Sequence, residues 1–374
     1  MTVSKAAGAK YLVMVAKHHD GFCLWPSRHT NYSIKRSPWR NGKGDLVREV
    51  EQACRKHGLK FGIYLSPWDR HEPSYKDNAA YDNYYSRQLE ELMTGYGDIV
   101  ELWLDGAGSE GHVYDFERYV KLLRTYQPNA NIFADTGFVP WGDIRWVGNE
   151  EGFAREEEWN VVDRLGYLRW RPVEADTPLR KHHWFWHPND EKSLNSLPEL
   201  LDIYHKTVGR GAQLVLGLAP DNRGLPPESD VARLKEFGEA IRHTYSTNLS
   251  PNAAQVASRI SSARLAADGD PDTSWMANPG ARSEEIVLRF PTRVSFDRAV
   301  IMEWLSDGQT IQKYDIQVME GDQNKTVARG TSIGHKKVDL FPRVTTRVVK
   351  LRLLSCSGRP AIREFQLYDG SKAP

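Results

Sequence analysis

No stretch of 18 consecutive apolar residues occurs in this chain, which removes a membrane-spanning helix from consideration. An excess of either charge is lacking too, since 50 Lys and Arg stand against 49 Asp and Glu. A net charge of +1 supplies no global field for a polyanion, and no local basic stripe replaces it. Nucleic acid is therefore not an expected partner. Cysteine is scarce: Cys23, Cys54 and Cys356 are odd in number and far apart, which excludes a disulfide scaffold and a CxxC zinc site. P-loop, GxGxxG, HExxH and GxSxG motifs are missing, so nucleotide chemistry, zincin-type hydrolysis and the serine hydrolases lack support. Repeats and low-complexity tracts are missing as well. The opening residues, Met1 to Lys10, contain no apolar core of a signal peptide, so none is expected there, and the sequons at Asn31, Asn248 and Asn324 leave the compartment open.

What is present is length and aromatic surface. The 374 residues suffice for two domains, or for one large α/β barrel with an appendage. Twelve Trp and sixteen Tyr can stack on sugar rings as readily as fill a core. Over residues 1–246 short apolar runs alternate with amphipathic helices, the pattern of βα units around a parallel sheet. Seven runs read as buried strands: Tyr11–Ala16, Lys60–Leu65, Ile99–Leu104, Asn131–Ala134, Asp143–Val147, His182–Trp186 and Ala212–Leu218. Between them lie convincing helices. Asp45 is an N-cap, Leu46, Val47, Val50, Ala53 and Cys54 share a face, and Gly58 is the stop. Tyr81, Tyr84, Tyr85, Leu89 and Leu92 form a second stripe, and Val231, Leu234, Phe237 and Ile241 a third. The expected fold is α/β, a TIM-like (β/α) barrel of seven strands, incomplete at its N-terminus because no eighth strand fits before Tyr11. From residue 247 to 374 the helices stop and alternation begins, as in Ile286, Leu288, Phe290 and Val349, Leu351, Leu353. That texture predicts a β-sandwich domain.

In such barrels chemistry sits at the carboxyl ends of the strands, which turns the strand assignment into a shortlist. The first run delivers His18 and His19, the second Tyr64, the third Asp105-Gly106, the fifth Glu150, and the sixth carries Trp184 and Trp186. Each also has a plain structural explanation. Asp105 could cap a turn, Glu150 could be a solvated loop acid, the histidines could be satisfied structural groups, and the tryptophans could be core. Together, Asp105 and Glu150 offer the paired carboxylates that glycoside hydrolysis needs. A metal at His18 and His19 is not expected, because neighbours on a strand point to opposite faces.

The segments Lys17-His18-His19-Asp20-Gly21-Phe22-Cys23-Leu24-Trp25-Pro26-Ser27, Leu59-Lys60-Phe61-Gly62-Ile63-Tyr64-Leu65-Ser66 and Leu102-Trp103-Leu104-Asp105-Gly106 resemble the α-L-fucosidases of glycoside hydrolase family 29. The likeness runs in order over roughly residues 10–242 and ends at Gly211-Ala-Gln-Leu-Val-Leu-Gly-Leu-Ala-Pro220. It implies a retaining exo-α-L-fucosidase working through a covalent glycosyl-enzyme. On that resemblance Asp105 is the nucleophile and Glu150 the acid/base, with Glu151 the alternative if the loop slips by one residue. Glu150 matches the subfamily that takes α1,3/α1,4-linked fucose from Lewis-type glycans. His18, His19 and Tyr64 match positions that hold fucose hydroxyls, and Trp184 matches an aromatic packed on the sugar. The implied partner is a fucosylated oligosaccharide or glycoconjugate. The implied chemistry needs no metal and no organic cofactor, and the resemblance favours a secreted or periplasmic enzyme. The Phe-x-His-Trp-Gly segment that opens the family's barrel has no counterpart here. Two open sheet edges are then expected, which a homo-oligomer or a covering loop would relieve. The same loss supports a second reading, a catalytically impaired glycan-binding protein.

Ala267-Asp268-Gly269-Asp270 with Thr273-Ser274-Trp275, and the ending Ile362-Arg363-Glu364-Phe365-Gln366-Leu367-Tyr368, resemble the discoidin-like (coagulation factor five/eight type C) module. That resemblance implies a sandwich that binds glycan or braces the barrel, and a structural calcium ion at Asp268 and Asp270. An ordinary Asp-Gly turn is the plain alternative.

Overall fold

The computed structural model describes residues 1–134, 142–159 and 170–370. The chain divides into two compact units, Met1–Trp146 and Val147–Pro374.

The first unit is built of parallel βα steps. Strands β1 (Tyr11–Lys17), β2 (Lys60–Leu65), β3 (Glu101–Leu104), β4 (Asn131–Ala134) and β5 (Ile144–Trp146) pair in sequence order. Helices α2 (Leu46–His57), α3 (Asn78–Gly95) and α4 (Phe116–Tyr126) connect the first four, after a short α1 (Thr2–Ala6). The local signals behave as their chemistry requires. The Asp45 carboxylate accepts the Arg48 amide at the start of α2, and Gly58 ends that helix at φ +67°, a conformation only glycine takes freely. Asp77 and Asp115 cap α3 and α4 in the same way. The aromatic stripe of α3 turns inward, with Tyr81, Tyr85, Leu89 and Leu92 buried against Ile63, Leu65, Leu102 and Leu104. β1 is the half-buried strand of this sheet, and Val15 is 40% exposed.

The second unit opens with the parallel pair β6 (Val173–Pro178) and β7 (Gln213–Gly217), joined through α5 (Leu197–Thr207) and followed by α6 (Glu228–Thr244). Here one expectation is corrected. The sixth strand is not His182–Trp186, which forms a turn with His182 at φ +62°, a value no strand residue adopts. It is Val173–Pro178, buried along its whole length despite Glu174 and Asp176. Two acids in six residues disguise it as a loop, whereas the exposed Phe185 and half-exposed Trp184 lent the turn an apolar look.

Beyond α6 the chain is antiparallel. β10 (Glu284–Glu303) and β13 (Lys337–Cys356) pair along most of their length, and β11 (Ile311–Glu320), β12 (Gln323–Gly330), β14 (Ala361–Tyr368), β9 (Trp275–Met276) and β8 (Gln255–Ala257) complete the order β12-β11-β13-β10-β14-β9, with β8 on β10. The register sets Ile286 opposite Leu351 and Leu288 opposite Val349, so the alternation seen in the sequence faces one core. β10 shifts register between Arg289 and Val294, around Pro291; its first part pairs with β8 and its last with β14. The sheet thereby folds over Trp275, Phe296, Ile316, Phe365 and Leu367, as a discoidin-like sandwich does. Within this unit the sandwich is tied to the preceding segment. Gln309 Nε2 donates to the Glu158 carbonyl at 3.0 Å, Lys337 Nζ to the Glu156 carbonyl at 3.2 Å, and Tyr245 meets Tyr368 edge-on at 5.2 Å.

Candidate active site

Three consecutive strand ends of the first unit converge on Asp105. The apolar β3 ends at Leu104 and delivers the carboxylate directly after it. Asp105 Oδ1 accepts the Ala107 amide at 2.9 Å, which fixes the turn. Its Oδ2 accepts the Tyr64 hydroxyl at 2.8 Å and lies 3.5 Å from His19 Nε2. Tyr64 is buried, and its phenol is pushed far up by that burial and by the Asp105 charge, so it stays a donor. Its ring stacks on His18 on one hand and on Trp103 on the other, at 5.6 and 5.3 Å. The set His18, His19, Tyr64 and Asp105 is therefore one cluster.

The two histidines do not diverge. β1 ends at Lys17 after a register shift against β2, so strand alternation no longer governs the next residues. Their ring centroids lie 4.1 Å apart, and donor atoms of His18, His19 and Asp105 fall within 4.8 Å of one another. The expectation of opposite faces is corrected. Burial lowers both imidazole pKa values; for His19 the neighbouring His18 adds to the lowering, and Asp105 opposes it in both. Two further residues of this cluster follow the second run in the sequence, which places them at the strand end without giving them a role. Ser66 is buried beside His19, and Trp68 lies 4.9 Å from the His19 ring. Gly108, three residues past Asp105, faces the Trp68 ring so closely that a Cβ there would lie 2.0 Å from it.

In the second unit Glu150 and Trp184 meet. Glu150 is exposed, and its Oε2 accepts the Trp184 indole N–H at 3.2 Å. The neighbouring Glu151 is exposed, and its backbone amide donates to Asn149 Oδ1, while the Asn149 amide group donates to the Phe153 carbonyl. The Trp184 ring lies over Gly217 at the end of β7, where a methyl would come within 2.7 Å of it. A turn that sequence patterning took for a strand thus carries the aromatic residue to a strand end after all.

In the C-terminal sandwich Asp268 Oδ1 accepts the Asp270 amide and its Oδ2 the Thr273 hydroxyl, both at 2.9 Å. Asp270 Oδ1 accepts the Asp272 amide at 2.9 Å. Glu364, absent from the sequence shortlist, is buried beside this turn and accepts the Gly269 amide at 3.0 Å. Burial, reinforced by the Asp268 carboxylate, pushes Glu364 up to about 7.

Carboxylates, imidazoles and aromatics at the carboxyl ends of parallel strands, in a chain that continues into an antiparallel module, are the equipment of a glycoside hydrolase. Comparison with known proteins narrows the class. The alpha-L-fucosidase family model matches residues 1–244, and the F5/8 type C domain model matches residues 245–365. The chain belongs to the alpha-L-fucosidase family. It is 36% identical to a putative alpha-L-fucosidase 1 of Oryza sativa over 98% of this chain and 75% of the relative, and 35% identical to alpha-L-fucosidase 1 of Arabidopsis thaliana over 98% and 77%. Among solved structures, a putative alpha-L-fucosidase from Bacteroides thetaiotaomicron superposes with TM-score 0.93 at 34% identity, covering 99% of this chain and 86% of that one. A Ruminococcus gnavus GH29 fucosidase in complex with fucose gives 0.89 at 30% identity, over 100% and 85%. The fold is accordingly TIM-like with an appended sandwich, and the activity is that of an alpha-L-fucosidase.

Proposed function

We propose that this enzyme is a retaining exo-α-L-fucosidase for α1,3/α1,4-linked fucose on Lewis-type glycans, with Asp105 as nucleophile and Glu150 as acid/base. Residues 1–246 form its catalytic part and 247–374 its accessory sandwich. The supporting observation is the contrast between the two carboxylates. Asp105 is held from both oxygens, by the Ala107 amide and the Tyr64 hydroxyl, and so is aimed as a nucleophile must be. Glu150 is exposed, with the Trp184 indole on Oε2, which suits a group that exchanges protons with a leaving oxygen and then with water. In this scheme Glu150 protonates the glycosidic oxygen as Asp105 attacks the anomeric carbon. Glu150 then takes a proton from the water that releases fucose. His18, His19 and Tyr64 hold sugar hydroxyls, Trp184 packs on the ring, and two carboxylates suffice without a metal. Proton NMR of the enzyme with a Lewis-type trisaccharide should show α-fucose first, with the β-anomer arising only by mutarotation. β-Fucose appearing first would overturn the retaining assignment.

We further propose a structural calcium ion at Asp268 and Asp270, with Glu364 as an added donor. The buried Glu364 carboxyl next to Asp268 supports this, because a divalent cation would relieve their repulsion. The sign with pH follows from Glu364. Its pKa is raised on folding to about 7, so its contribution to stability is full below the unfolded value near 4.5 and is lost as pH rises to about 7. Calcium should therefore raise the melting temperature over an EGTA control, and by more at pH 7.5 than at pH 5. Glu303, also pushed up to about 7, and His205, lowered to about 4, act in both arms and cancel in the difference. Melting that is indifferent to chelator at both pH values would remove the site.

A further inference from the structure

We infer that Ser66 is a positioning residue that fixes the tautomer of His19, so that His19 offers a bare Nε2 to a sugar hydroxyl beside Asp105. This rests on the reading of Asp105 as nucleophile.

The argument is proton bookkeeping. Ser66 follows directly on β2 and is fully buried. Its Oγ lies 2.7 Å from the Trp68 carbonyl oxygen. Two oxygens at that separation need a proton between them, and a carbonyl has none, so the single hydroxyl proton of Ser66 is committed there. The same Oγ lies 2.7 Å from His19 Nδ1. Here the proton has to come from the imidazole. His19 thus carries hydrogen on Nδ1, and its neutral form leaves Nε2 as an acceptor. That nitrogen stands 3.5 Å from Asp105 Oδ2, which already accepts the Tyr64 hydroxyl at 2.8 Å. Two acceptors side by side, with a gap beyond hydrogen-bond length, are complementary to a donor that bridges them. A sugar hydroxyl is such a donor.

The arrangement also makes a statement about acid. The groups around His19 are His18 and Asp20 from its own segment, Ser66, Trp68 and Arg70 from the segment after β2, and Asp105 after β3. With Nδ1 already protonated, the next proton from solvent can only go to Nε2. The resulting imidazolium donates toward Asp105 and removes the acceptor from the sugar. Loss of kcat/KM on the acid side is then the titration of His19, and burial together with His18 moves that limb below the ordinary imidazole value.

The test has two readouts. In protein labelled with 15N-histidine, the resonance that disappears in His19→Gln should have the Nδ1–H tautomer signature. In Ser66→Ala it should shift toward Nε2–H. In the same variant kcat/KM should fall about tenfold, as for one lost hydrogen bond, and its acid limb should move to lower pH because the freed ring can donate to Asp105 while neutral. Ser66→Thr, which restores the hydroxyl, should return both. An Nε2–H signature in the unmodified enzyme overturns the inference, as does an unchanged acid limb in a folded Ser66→Ala variant. Full activity in Asp105→Asn would instead remove the nucleophile reading, and the tautomer signature would still judge Ser66.

Discussion

Asp105→Asn should abolish fucose release while leaving the protein folded. The amide oxygen of Asn still accepts the Ala107 amide, and its Nδ2 donates to the Tyr64 oxygen once that hydroxyl rotates to accept, so the turn after β3 keeps both contacts and the melting temperature should move little. What disappears is the anionic oxygen that, in the proposed mechanism, would form the bond to the anomeric carbon. Removing a nucleophile from a catalytic set costs about 10⁴-fold or more in kcat, because no other group supplies the step. Glu150→Gln should behave differently. In kcat/KM, which reports the first step, loss of acid catalysis costs roughly 10²–10⁴-fold on a glycan, whose leaving oxygen needs a proton, and far less on an aryl fucoside whose leaving group departs unaided. The pair of substitutions assayed on both substrates therefore separates the roles. Equal losses on both substrates for Glu150→Gln would reassign the acid, and Glu151 would be the next residue to replace.

The nucleophile candidate was legible because of the strand before it. Leu102, Trp103 and Leu104 form a short apolar run that could only be interior, and the carboxylate directly after it had to emerge at a strand end. Glu150 and Trp184 were legible as residue types through resemblance, and the hydrogen bond between them was not, since it joins a loop to a turn 34 residues on. The turn itself was misread for a physical reason. Sequence patterning weighs apolarity, and β6 buries Glu174 and Asp176 whereas the turn exposes Phe185. The relation between His18 and His19 was also misjudged, because alternation holds only while a strand lasts and β1 stops one residue earlier. Ser66 and Glu364 lie within the segments that carry the resemblances, but neither had a role assigned from the sequence. A serine after a strand is common, and a glutamate in a β-rich tail gains meaning only when the fold brings it to Asp268.

Lys17→Met should be the most damaging substitution for stability in the first unit. Lys17 is fully buried, and so is Asp69, whose Oδ2 lies 3.0 Å from Lys17 Nζ. The ammonium is further held by Gln88 Oε1 at 3.0 Å and sits over the rings of Tyr81, Tyr84 and Tyr85 at 5.2 to 5.8 Å. Asp69 Oδ1 in turn accepts the amides of His71 and Glu72, at 3.0 and 2.9 Å. One ion pair thus ties the end of β1 to the loop after β2, directly before His18 and His19 in the chain. Methionine fills the volume and leaves a carboxylate without its cation in a dry interior, a loss of about 3–5 kcal/mol. For a unit of this size that corresponds to a fall in melting temperature of roughly 10 °C. Asp69→Asn added to Lys17→Met removes the stranded charge and keeps an acceptor for the two amides, so the double variant should regain more than half of the loss. Thermal denaturation followed by circular dichroism reads both. A single variant within about 1 kcal/mol of the parent, or a double variant no better than the single, would show that the pair is not what secures this rim. Because His18 follows Lys17 directly, the folded fraction of Lys17→Met should also bind fucose more weakly than the parent, and the double variant should recover part of that affinity along with its stability.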